Sequence, residues 1–209
     1  MSYVVACLDM DLQEFVDWIV NNIRPGFEPH FLNADSSELW QTLPHADFLV
    51  LFESEVTAEM VAAAPKLRLI QLPQVGYDNV DVAAAAKAGV PVCNTPGVTA
   101  GSVAEHTLML ILATLRRLLE CDASVRGSEW PQLEMFRKGL HDLAGATLGV
   151  VGFGAMGKAL AHVCRPLAGE ILYYKRHRLS GEEEQQLGVA YAQLDDLLRR
   201  SDVVSLHVP

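Results

Sequence analysis

Short apolar runs and amphipathic segments alternate along most of this chain. "YVVACL" is almost unbroken apolar sequence and predicts a buried strand, and residues 11–22 repeat their apolar positions at helical spacing. "FEPHFL" and "DFLVLF" are strand-like, with a short helix expected at "SSELWQTL" between them. "EVTAEMVAAAP" predicts a helix stopped by Pro65, "LRLIQL" a strand, "VDVAAAAKAG" a helix ended by Gly89, and "VPVCN" another strand. Such alternation builds βαβ units around a parallel sheet. A long helix follows, predicted over about Ala100 to Val125. Its middle, Leu108 to Leu115, is apolar on nearly every face, the pattern of a helix buried on several sides, as between two domains or two subunits. The alternation then resumes with a strand at 147–151, a helix over Met156 to Leu167, and the strand "EILYY". The acidic run in "LSGEEEQQLG" reads as a solvated helix start. A short strand "VAYA", a helix "LDDLLRRS" and the strand "DVVSLHV" complete the pattern, without internal repeats or low-complexity tracts.

Composition narrows the function classes. Half of the 209 residues are hydrophobic and a fifth are charged, a globular profile. Sixteen Lys plus Arg against 26 Asp plus Glu leave a net charge of −10, so nucleic acid is not an expected partner and any anion site must be local. The apolar run "LMLILATL" is far shorter than the roughly 20 residues that span a bilayer, and no signal-like leader is evident, so neither a membrane nor a secretory role is expected. Cys7, Cys93, Cys121 and Cys164 lack pairing or metal-like spacing and read as buried thiols of a cytoplasmic protein.

"VVGFGAMGKALA" carries the candidate chemistry. An apolar strand precedes Gly152, Gly154 and Gly157, and a helix follows them. In a dinucleotide fingerprint the first glycine makes the tight turn and the second lets the backbone approach a pyrophosphate. The third allows close helix–strand packing, while the helix N-terminus faces the anion. Ala155 and Met156 lie inside the same turn. The alternative is a plain strand-to-helix turn. About 20 residues on, an acid would take the ribose hydroxyls of NAD, but after Tyr174 the chain continues Lys175, Arg176, His177, Arg178. A carboxylate there would repel a 2′-phosphate, whereas Lys175 and Arg176 would attract one. NADP is therefore expected as the preferred cofactor over NAD; the bland alternative is a solvated basic loop.

Two longer stretches, "QVGYDNVDVAAAAKAGVPVCNTPGVTAGSVAEHTLMLIL" and "DLAGATLGVVGFGAMGKALA", together with the closing "SDVVSLHVP", resemble the D-isomer-specific 2-hydroxyacid dehydrogenases over nearly the whole chain. The resemblance implies two doubly wound α/β parallel-sheet domains: a flavodoxin-like substrate domain over 1–99 and a Rossmann nucleotide-binding domain over 100–209, incomplete at its C-terminal end. It implies interconversion of a small 2-keto acid and a D-2-hydroxy acid, of the glyoxylate or hydroxypyruvate type, and a homodimer. Phosphite and phosphoglycerate dehydrogenases are relatives, and a non-enzymatic dinucleotide-sensing co-repressor is the alternative of a different class.

Carried over by position, Val75 and Gly76 would offer backbone N–H groups to the substrate carboxylate. For "GYDNVD" a turn with Asp78 or Asn79 as helix cap is an equally available reading. Val103 would pack near the nicotinamide, or is an ordinary core valine; His207, Val208 and Pro209 would lie on the adenosine side of the cofactor. His106, alone on an apolar helix, is read as structural. The family's Arg, acid–base His and orienting carboxylate lie beyond "HVP", so no catalytic residue is assigned and the chain is expected to be a fragment without turnover. "DVVSLHV" reads as a strand of the kind that is covered on both faces, and here it is expected to be left in a half-built sheet with an open apolar edge.

Overall fold

A computed structural model of the chain describes residues 2–10 and 12–208. Asp11, at the start of the helix expected over 11–22, and the candidate residue Pro209 lie outside the described residues. The chain divides into two compact units, Met1–Pro96 and Gly97–Pro209.

In the first unit, strands β1 (Tyr3–Leu8), β2 (Phe27–Leu32), β3 (Phe48–Leu51), β4 (Leu69–Gln71) and β5 (Val92–Cys93) form a parallel sheet of order β2-β1-β3-β4-β5. This is the flavodoxin-like winding. Helices α1 (Gln13–Asn22), α2 (Ser37–Thr42), α3 (Ala58–Ala63) and α4 (Val82–Lys87) supply the crossovers. A parallel sheet must be covered on both faces. Leu8, Leu49, Leu51 and Ile70 accordingly pack with Leu39 and Leu43 in one core. Val5, Cys7 and Met10 pack with Phe15, Val16 and Ile19 in another. Ser36 and Thr57 cap α2 and α3 by accepting from the N–H groups of Leu39 and Met60. The cap of α4 is Asp81, which accepts from Ala84 N–H at 2.9 Å, and not Asp78 or Asn79. Asn79 is engaged elsewhere: its amide donates to the carbonyls of Phe52 and Ser54, tying its turn to the segment after β3.

The second unit begins with α5 (Ala100–Leu115), α6 (Leu118–Arg126) and α7 (Gln132–Lys138). The single helix expected to Val125 is thus broken. Arg117 sits in the left-handed region at φ 50°, and its guanidinium donates to the carbonyls of Lys138 and Gly139 and to Glu120. The bonds to Lys138 and Gly139, residues beyond the expected helix, hold the break. Only Ala104 and Ile111 of α5 are buried, while Met109, Leu110 and Leu112 remain exposed, so the helix packs by one face.

Strands β6 (Thr147–Val151), β7 (Glu170–Tyr174), β8 (Ala190–Tyr191) and β9 (Val203–Leu206) form a second parallel sheet, ordered β8-β7-β6-β9. Helices α8 (Ala155–Cys164), α9 (Gly181–Leu187) and α10 (Leu194–Arg200) complete the unit. The chain winds outward from β6 through β7 to β8, then returns to the other side of β6 at β9. The order therefore reverses at β6/β9, the switch point where open α/β sheets bind ligands. Among the described residues β9 is an edge strand on which Val204 and Leu206 are exposed, the open apolar edge expected of "DVVSLHV". The cysteine reading is also corrected. Cys7 and Cys164 are buried, but Cys93 is exposed and Cys121 half-buried, because short β5 and the outer side of α6 lack covering elements.

Candidate functional site

The C-terminal ends of three neighbouring strands meet at the β6–α8 turn. Gly152 closes β6 at φ +89°, its N–H donating to the Tyr174 carbonyl at the end of β7. On the other side, His207 after β9 donates its N–H to the Val151 carbonyl at 2.7 Å. Gly152, Gly154, Ala155, Met156 and Gly157 thus share one sheet edge with Lys175, Arg176, His207 and Val208.

The three glycines do three different things. A Cβ on Gly152 would stand 2.6 Å from the His207 carbonyl carbon, so the strand ends could not close around any other residue. A Cβ on Gly157 would stand 2.6 Å from the Gly152 carbonyl oxygen; this glycine lets α8 sit against the turn. A Cβ on Gly154 would meet nothing within 4 Å. The middle glycine is not needed for packing. It keeps bare backbone at an exposed position, at the start of a helix with no side-chain cap. The first N–H groups of a helix have no intrahelical partners, and the helix dipole adds partial positive charge there. That cradle fits an anion approached closely by backbone, as a pyrophosphate is.

Beneath the turn, Phe153 is buried and its ring centroid lies 4.5 Å from that of Tyr173. The basic corner follows directly on β7. Lys175 is half-buried and Arg176 exposed, and neither makes a side-chain hydrogen bond or ion pair among the described residues. Arg178 is different: it makes a bidentate pair with Glu184, at 2.8 Å in both arms. Tyr173 Oη donates to the same carboxylate at 2.7 Å. The reading of "GEEEQQ" as wholly solvated therefore fails at Glu184, whose side chain is only 12% exposed. Arg178 and the Tyr173 hydroxyl pull its carboxyl down to about 2, and burial pushes the Tyr173 hydroxyl up to about 12. Sequence spacing gave no sign of this cluster.

Val103 is half-buried on α5, the helix packed along α8. His106 is exposed on α5 and makes no side-chain hydrogen bond among the described residues. Burial lowers the pKa of the His207 imidazole, which lies 3.0 Å from Ser205 Oγ.

In the first unit, Val75 and Gly76 lie in the loop after β4. Asn94 Nδ2 donates to the Val75 carbonyl at 2.7 Å, and Thr95 N–H to the Gln74 carbonyl at 3.0 Å. With the carbonyls held, the N–H groups of Val75 and Gly76 have no acceptor among the described residues. A crevice of this unit, about 680 Å³ at the ends of β1 and β3, is lined by Asp9, Asp35 and Glu53 and would repel an anion. Among the described residues no group of His, Cys, Asp and Glu could hold a metal ion, and no helix is long and apolar enough to cross a membrane.

A parallel sheet with its glycine turn at the switch point defines a Rossmann-type α/β protein. Comparison with known proteins places it further. Residues 108–209 match the family model described as "D-isomer specific 2-hydroxyacid dehydrogenase, NAD binding domain". A glyoxylate reductase of Thermococcus litoralis is 42% identical over 176 residues, covering 82% of this chain and 53% of the relative. A dehydrogenase from Rhizobium meliloti superposes with a TM-score of 0.77 at 30% identity, covering 98% of this chain and 69% of that one. D-Lactate dehydrogenase of Aquifex aeolicus, solved with NAD and lactic acid, gives 0.80 at 29% identity, covering 98% and 60%. The chain belongs to the D-isomer-specific 2-hydroxyacid dehydrogenase family. It spans about half the length of the curated relatives it matches.

Proposed function

We propose that the protein is an NAD(P)H-dependent oxidoreductase interconverting a small 2-keto acid, of the glyoxylate or hydroxypyruvate type, and a D-2-hydroxy acid. The observation that carries the reading is the division of labour among Gly152, Gly154 and Gly157, which leaves backbone bare only at the open position. Names of the relatives, glyoxylate reductases and a D-lactate dehydrogenase, support this substrate class and favour the enzyme over a non-enzymatic nucleotide sensor.

In this reading the unit Gly97–Pro209 holds the dinucleotide and the unit Met1–Pro96 the substrate. The Gly152–Gly157 turn and the start of α8 take the pyrophosphate, and His207 and Val208 flank the adenosine. The loop at Val75 and Gly76, its carbonyls held by Asn94 and Thr95, directs free N–H groups to the substrate carboxylate. Val103 borders the nicotinamide. When bound, the nicotinamide supplies or takes the hydride; these residues bind and orient.

The cofactor preferred is NADP, because Lys175 and Arg176 carry charge that no side-chain hydrogen bond or ion pair takes up among the described residues. The 2′-phosphate brings close to two negative charges, and charge-assisted hydrogen bonds contribute roughly 1.5–3 kcal/mol each when well made. Screening at this exposed corner reduces that to about 1–3 kcal/mol, or roughly 5- to 150-fold. The protein acts as a homodimer in the cytoplasm. Trp130, Leu133 and Phe136 on and beside α7 are 81, 71 and 80% exposed, an apolar surface of the kind that a second subunit covers. The test is titration of the purified protein with NADPH and NADH. NADPH should bind more tightly, Lys175→Asp should abolish the difference, and added salt should narrow it. An NADH preference, or a ratio untouched by Lys175→Asp, would show the corner to be a solvated loop.

A further inference from the structure

The basic corner is not a loose tail of charges. Tyr173, fully buried on β7, reaches past the loop it precedes: its hydroxyl accepts from Leu179 N–H at 2.9 Å, closing residues 174–178 into a short arch. The same hydroxyl donates to Glu184, and Glu184 holds Arg178 by both guanidinium arms. Arg178 also lies over the Tyr191 ring, 5.3 Å from its centroid. Glu184 is itself fixed by α9, which starts in a capping box between Ser180 and Glu183, and Lys158 of α8 pairs with Glu183 at 3.3 Å. Both feet of the arch are therefore anchored, and one of its three permanent cations is already neutralised within the protein.

We infer that Tyr173 and Glu184 are positioning residues for cofactor choice. They hold the Lys175–Arg178 arch in one shape and withdraw Arg178 from it, so that Lys175 and Arg176 alone meet the ribose 2′-phosphate. The inference rests on the NADP reading above and adds to it the element that sets the geometry. Rigid presentation of a few donors discriminates better than mobile charge, because less side-chain and loop freedom is lost on binding.

Net charge and geometry make opposite demands here, which gives the test its sign. Glu184→Gln makes the corner one unit more positive; if charge alone governed, it would strengthen binding of a 2′-phosphate. If the arch governs, it weakens that binding. Tyr173→Phe keeps the ring against Phe153 and changes no charge, removing only the two hydrogen bonds. Calorimetric titration with 2′,5′-ADP and 5′-AMP isolates the contribution of the 2′-phosphate. Both variants, checked for folding by circular dichroism, should lower the 2′,5′-ADP to 5′-AMP affinity ratio by about three- to tenfold, with 5′-AMP affinity held within about twofold. A ratio unchanged in Tyr173→Phe, or raised in Glu184→Gln, overturns the inference while leaving the NADP reading standing. A wild-type protein with no preference for 2′,5′-ADP overturns both.

Discussion

Replacing each fingerprint glycine by alanine should separate its role in folding from its role in binding. Gly152→Ala puts a Cβ on a residue at φ +89°, within 2.8 Å of Val208 Cγ1 and closer still to the His207 carbonyl. The left-handed backbone costs roughly 1–2 kcal/mol for a non-glycine residue, and parting β6 from the end of β9 adds a similar amount. A total of about 2–4 kcal/mol should lower the melting temperature of a chain this size by roughly 5–15 °C. Gly154→Ala changes a residue at φ −87° with nothing near its Cβ. Its stability cost is that of exchanging a glycine cap for alanine, under about 1 kcal/mol. Yet its methyl group stands where the pyrophosphate must approach. Misfit of that kind costs about 1–3 kcal/mol, or roughly 5- to 150-fold in dinucleotide affinity. Thermal unfolding by circular dichroism and fluorescence titration with NADPH measure the two effects separately. Equal destabilisation by both substitutions, or full affinity in Gly154→Ala, would refute the assignment of the middle glycine to the ligand.

Phe136→Glu should shift the protein from dimer to monomer in analytical ultracentrifugation without lowering its melting temperature measured as a monomer, because the ring is 80% exposed. The Glu184 carboxyl, held down at about 2, contributes stability that is fully present above its ordinary value near 4.5 and is lost as pH falls from there toward 2. Acid titration of stability should therefore be shallower over that window in Glu184→Gln than in the wild type. Cys93 should be alkylated by iodoacetamide well before Cys7 and Cys164, both buried and with thiols pushed up to about 11; mass spectrometry of the modified peptides reads the order.

Much of this protein is determined locally and is therefore legible in its sequence. The short apolar runs "YVVACL" and "TLGVV" read as strands and form β1 and β6. The glycine turn is equally local: its spacing is dictated by one strand, one turn and one helix that are consecutive in the chain. What the sequence could not determine depends on partners distant along it. Arg117 breaks a helix that its neighbours would continue, because carbonyls about twenty residues away hold its guanidinium. Asp81 rather than Asn79 caps α4 because Asn79 is claimed by carbonyls of another crossover. Glu184 sits in a run of acids that looks alike in sequence. Tertiary packing turns that one side chain inward, where the buried Tyr173 hydroxyl and Arg178 satisfy its charge, and leaves Glu182 outside. Local propensity sets which segments become strands and helices; the winding of the sheet decides which charges end up beside one another.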